Sequence, residues 1–141
     1  GPSIVLPDDS NTLIPEGWYI ACCIFQKMGD FYSSAKLTLT FKICEGLYSG
    51  TKLDCNYNFK KERNKAGEWE VKAGKRGHYV RMLRRVFGGM RHTDGAPVSP
   101  QDLVGMVFKV EVETVKKNHE RKALDAGDFY SKVKTNIELK E

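Results

Sequence analysis

The chain has 141 residues and a mass of 16.0 kDa, with 40% hydrophobic and 29% charged residues, which suits one core and excludes a disordered tail or a fibre. No apolar run approaches the ~20 residues of a membrane helix, and no basic segment near the N-terminus leads into a hydrophobic one, so a cytoplasmic protein is expected rather than a membrane or secreted one. The net charge of +5 is segregated: residues 60–92 hold 11 basic against three acidic residues, and residues 115–134 hold six against three. Such clustering is the footprint of a surface that meets a polyanion.

Gly1-Pro2-Ser3 reads as a protease-cleavage scar, and residues 1–14 as that scar plus a polar leader (Pro7 to Asn11), leaving 15–141 as a single domain. Residues 16–28 are apolar on both alternations, as in a strand that touches core on both sides. Gly29-Asp30 breaks the run. Residues 35–44 alternate, with Leu37, Leu39, Phe41 and Ile43 inward and Lys36, Thr38, Thr40 and Lys42 outward. After a turn at 45–50, residues 51–59 form a third strand that buries Leu53, Cys55, Tyr57 and Phe59.

Residues 60–74 are polar and basic and read as a loop, within which residues 69–72 offer a short additional strand. From His78 to Phe87 the apolar Tyr79, Met82, Leu83, Val86 and Phe87 recur at helical spacing, with Arg81, Arg84 and Arg85 opposite. Gly88-Gly89 ends the helix, and Ser99-Pro100 starts a short helical turn. Residues 106–115 and 129–139 alternate as two last strands, the second with Phe129, Val133, Ile137 and Leu139 inward. Trp18, Tyr57, Tyr79 and Phe87 are expected in the core.

The cysteines, Cys22, Cys23, Cys44 and Cys55, form no Cys-x-x-Cys pair, and the histidines are scattered among basic residues. Adjacent Cys22 and Cys23 point to opposite faces of a strand and cannot share a metal ion, so reduced, mostly buried thiols and no zinc are expected. No phosphate loop, nucleophile elbow or His-Glu-x-x-His pair is present, and Asp94, Asp102 and Asp125 lie among turn residues. No enzymatic activity is expected.

The fold class predicted is mainly β: three strands, one α-helix and two strands, the connectivity of a five-stranded antiparallel OB-fold barrel with its helix between strands three and four. That barrel binds oligonucleotides on the face of strands two and three and with the loops 1–2 and 4–5. The runs Pro-Glu-Gly-Trp-Tyr, Leu-Thr-Leu-Thr-Phe-Lys-Ile, Gly-Leu-Tyr-Ser-Gly-Thr-Lys-Leu and Leu-Val-Gly-Met-Val-Phe-Lys-Val-Glu-Val carry a further likeness. With them the chain resembles small OB-fold single-stranded-DNA-binding proteins of phages and mobile genetic elements. These share a Pro-x-Gly-x-Tyr opening, a Gly-x-x-x-Gly-x-x-Leu turn and a Leu-x-Gly-x-x-Phe approach to strand four. The resemblance covers nearly everything from Pro15 onward. It implies a binder of single-stranded DNA with little sequence preference, acting in replication or recombination in a bacterial host cytoplasm. Replication or recombination proteins are implied as further partners, with a homo-oligomer possible in principle and no cofactor.

Such binding needs a positive groove and aromatic platforms. The candidate cations are Lys36, Lys42 and Lys52 on the strand face, Lys60, Lys61, Arg63 and Lys65 in the basic segment, and Lys116, Lys117, Arg121 and Lys122 in the last hairpin. The candidate platforms are Phe31, Tyr32, Trp69 and Tyr130, although Phe31 and Tyr32 would serve equally to cap a barrel. Arg81, Arg84 and Arg85 are expected on a solvated helix surface away from that face, with nucleic-acid contact as the alternative. The same charges would also serve an acidic protein partner, RNA or duplex DNA.

Overall fold

The computed structural model describes residues 12–140 and, before them, residue 3 alone; the expected leader Pro7 to Asn11 and the terminal Glu141 lie outside the described residues. Strand β1 (Gly17–Asp30) is shared: its first half pairs with β5 (Val107–Val115) and its second half with β2 (Ser34–Ile43). β2 pairs in turn with β3 (Lys52–Arg63), and β5 pairs with β6 (Tyr130–Val133). All these pairings are antiparallel, so the chain forms one curled, barrel-like sheet with α1 (His78–Phe87) beside it.

Seven strands are present among the described residues where the periodicity predicts five, for two reasons. β3 does not stop at Phe59 but continues to Arg63, and a tight turn returns it as β4 (Trp69–Lys72). The Asn64 side chain makes that turn by accepting the Ala66 and Glu68 amides at 2.9 and 3.0 Å, while Gly67 takes the positive φ of 80° that a side chain would resist. The basic segment is therefore largely a hairpin, as the short-strand reading of residues 69–72 allowed. The final strand is also interrupted. Val112 faces Val133 but Phe108 faces Leu139, so the outer chain gains two residues between β6 and β7 (Glu138–Leu139). This bulge turns Ile137 into the core and leaves Leu139 exposed rather than inward.

The core is filled by the inward alternations of β1, β2, β3 and β5. Phe41 and Phe108 meet edge to face at 5.7 Å near its centre. No ladder joins β3 to β6. Instead, the Tyr57 hydroxyl donates to the Thr135 carbonyl at 2.8 Å across the seam. Helix α1 lies along that seam with Val80, Met82, Leu83 and Val86 buried, and Tyr79 packs edge-on against Tyr57 and Phe59 at 5.5 and 5.3 Å. Gly88 caps it at φ 76°, donating to the Arg84 carbonyl. Further along, Asp102 in the short 3-10 turn Pro100–Leu103 accepts from His92 and from the Ser99 amide, bonds that hold its carboxyl below the usual carboxylate range.

Several sequence expectations change here. Trp18 is 44% exposed, not core, because it sits opposite Glu111 on the outward alternation of the first half of β1. Tyr79 and Phe87 are only partly buried, and Val80, off the expected stripe, is buried instead. Of the thiols, Cys23 and Cys55 are buried, and burial pushes them up to about 11 and about 12, so both stay protonated near neutral pH. Cys22 is half-buried and Cys44 exposed. No helix among the described residues is long and apolar enough to cross a membrane.

The Tyr79 hydroxyl is buried without a hydrogen-bond partner. An orphaned hydroxyl costs more than its removal, so Tyr79→Phe is expected to leave stability unchanged or raise it by up to ~1 kcal/mol in urea denaturation. A loss of ~1 kcal/mol or more would show that the hydroxyl has a partner.

Candidate nucleic-acid interface

Residues directly opposite on antiparallel strands point to the same face. On the outer face of β2 and β3 the pairs are Lys36 with Asn58, Thr38 with Asn56, Thr40 with Asp54, and Lys42 with Lys52. The Thr38 and Thr40 hydroxyls donate to Asn56 and Asp54 at 2.7 and 2.9 Å, which fixes the polar floor of this face. The next pairing outward sets Lys60 of β3 opposite Lys72 of β4. Two lysine–lysine pairs thus lie directly across from each other, a placement that opposes folding. Lys72 is partly compensated by Glu70 at 3.0 Å, and Lys42 and Lys52 have no ion pair among the described residues.

β1 completes this face with residues the sequence reading missed. Its register slips at a bulge between Cys23 and Phe25: Cys23 faces Phe41 inward, but Phe25 faces Thr40 and Lys27 faces Thr38, both outward. Phe25 is consequently 57% exposed, beside the polar floor. No signal in the sequence could have found it, because both alternations of that run are apolar and only the slip decides which one meets solvent.

Across the open seam, a cleft of about 410 Å³ runs from Lys36, Asn56 and Asn58 to Lys132, Lys134 and Asn136. Its far wall is partly neutralised, since Lys132 pairs with Glu113 at 3.3 Å and Lys134 with Glu111 at 3.6 Å. Tyr130, one outward position along β6 from Lys132, is 37% exposed. It leads to the β5–β6 connection, where Lys116 lies 5.9 Å over the Phe129 ring and a small hairpin closes between Lys117 and Ala123. Asn118 shapes its tip by accepting the Glu120 and Lys122 amides, and Arg121 adopts a φ of 62° there.

Beyond Lys60 the β1–β2 and β3–β4 turns meet, and the pleat turns the Arg63–Trp69 pair to the side opposite Lys60 and Lys72. Tyr32 is 79% exposed and tilts against Trp69 at 5.6 Å, and the Arg63 guanidinium covers Trp69 at 4.9 Å. Phe31 is exposed beside them, and Lys65 is exposed in the turn between β3 and β4. Lys61 differs from its neighbours: its ammonium is largely covered, paired with Asp30 and donating to the Phe31 carbonyl at 2.6 Å. It ties the first turn to β3 and has little charge to offer a ligand.

The residues singled out from sequence thus form a face (Lys36, Lys42, Lys52, Lys60), an aromatic cluster past its end on the other side of the β3–β4 hairpin (Phe31, Tyr32, Arg63, Trp69) and a separate finger (Lys116, Lys117, Arg121, Lys122). Tyr130 and the cleft link the finger to the face. On α1, Arg84 donates to the Lys75 carbonyl and Arg85 to those of Thr135 and Ile137, so two of the three helix arginines brace the backbone. No three metal-ligating side chains converge among the described residues.

No protein-family model, curated protein or solved structure matches this chain. What the face can do rests on its own geometry. Unpaired ammonium groups, amide and hydroxyl side chains and exposed rings together suit an anionic, partly aromatic polymer.

Proposed function

We propose that the chain is an OB-fold barrel that binds single-stranded DNA with little sequence preference along the outer face of β1, β2 and β3. The strand path supports the fold: β3, β2, β1, β5 and β6 run side by side in that order, residues just after β6 return beside β3, and the helix falls between the third of these strands in sequence and the fourth. On this view β4 is an extension of the third strand and β7 the far side of a bulge in the fifth.

One observation carries the ligand class, namely the opposition of Lys42 to Lys52, neither of which has an ion pair among the described residues. A face kept only soluble would alternate signs, whereas cross-strand lysine pairs gain when phosphates lie over them. Phe25 on the face gives bases somewhere to stack. Binding proceeds by counterion release followed by stacking, and is therefore salt-sensitive. A role in replication or recombination of a phage or mobile element rests on the sequence resemblance alone.

The reading is tested by titrating labelled single-stranded and duplex oligonucleotides of one sequence at two salt concentrations, with an RNA strand as competitor. Tighter binding of the single strand, weakening as salt rises, is expected. Equal affinity for single strand and duplex would refute it.

A further inference from the structure

β4 ends the sheet, and its second edge has no partner strand among the described residues. The hydrogen-bond phase of that edge follows from its neighbours. The Asn64 amide donates to the Glu68 carbonyl, and the Lys61 amide points the other way, to Ser33 on the β2 side. Bonded pairs alternate along an antiparallel ladder, so Glu62 with Glu70 and Lys60 with Lys72 are the bonded pairs between β3 and β4. The backbone amides and carbonyls of Trp69 and Val71 therefore face outward, off the sheet. Val71 is 43% exposed.

This edge is complementary to itself. Laid antiparallel against an identical strand with Val71 opposite Val71, it sets Glu70 opposite Lys72 and Lys72 opposite Glu70. Two amide–carbonyl bonds then form at Val71, two cross-strand pairs of opposite charge flank them, and the valine side chains meet at the two-fold axis. We propose that β4 joins β4 of a second copy of this chain in this register, making one sheet that runs through both molecules. A two-fold axis of this kind stands perpendicular to the sheet, so both lysine faces lie on the same side. The contact involves four residues from each chain, less than the ~1,200 Å² of a standard interface, and the dimer exchanges with monomer. The pairing does not depend on what the lysine face binds.

The test uses sedimentation equilibrium of the full chain without nucleic acid. A concentration-dependent dimer is expected. K72E makes both flanking pairs repulsive and is expected to raise the dimer dissociation constant about tenfold. E70K does the same but also removes the carboxylate that accepts from Asn64 at 2.9 Å, so circular dichroism must show it folded. An equal mixture of E70K and K72E restores complementary pairs and is expected to dimerise, as is the double variant E70K/K72E. A chain that stays monomeric at every concentration, or a dimer indifferent to both single variants and to their mixture, overturns the proposal.

Discussion

Replacing Lys36, Lys42, Lys52 and Lys60 together by alanine is expected to weaken single-stranded DNA binding by about two to three orders of magnitude at 0.1 M salt. The salt dependence should flatten with it. Each phosphate neutralised on a single strand contributes a slope of about 0.7 in log affinity against log salt, so four contacts remove close to 3. The fold is expected to survive. The four side chains point outward, and removing Lys42 and Lys52 relieves a like-charge pair worth ~0.2–1 kcal/mol. Phe25→Ala separates stacking from charge: a loss of ~1–3 kcal/mol in affinity with an unchanged salt slope is expected. Anisotropy titrations over a salt series read both quantities. A quadruple variant that binds like the parent would remove the β2–β3 face from the site, and an unaltered Phe25→Ala would leave that ring no part in binding.

Phe41→Ala carries the largest expected effect on the fold itself. Phe41 is fully buried, lies between Cys23 and Leu53 on the neighbouring strands, and meets Phe108 edge-on. Truncation loses the transfer free energy of the ring and leaves a cavity that β1, β3 and β5 around it cannot collapse to fill. The expected cost is ~3–5 kcal/mol against a total stability of ~5–15 kcal/mol for a domain of this kind. Urea denaturation followed by circular dichroism would show the midpoint shift, or an unfolded chain at 37 °C. A loss below ~2 kcal/mol would mean that the core relaxes around the gap and that the strands are less tightly coupled than the packing indicates.

Much of this architecture is legible in local pattern, for a physical reason. β2 and the first eight residues of β3 have clean two-residue alternation, which sets both strand type and facing before any partner is known. The outward direction of Lys36, Lys42 and Lys52 follows from that same phase. The helix stripe over His78–Phe87 and the glycine that stops it are equally local, resting on a period of 3.6 and on one residue able to adopt positive φ. Clustering of basic residues is a property of the linear chain and needs no folding to be seen.

Other features exist only once strands have met. β1 is apolar on both alternations, so its own residues do not choose a facing; pairing with β2 and β5 does, and the bulge after Cys23 puts Phe25 into solvent and leaves Cys23 covered. The strand count departs from five because the Asn64 turn extends one strand and two inserted residues divide another, and insertions are defined only against a partner's register. Lys61 reads as one more cation in a basic run, yet Asp30 and the Phe31 carbonyl claim it across a turn some thirty residues away in sequence. The sequence by itself determined that Lys36, Lys42 and Lys52 point outward from two alternating strands. Tertiary pairing alone decided that Lys42 faces Lys52, that Lys60 faces Lys72, and that an exposed ring stands on the same face, because distance between side chains on different strands is a property of register.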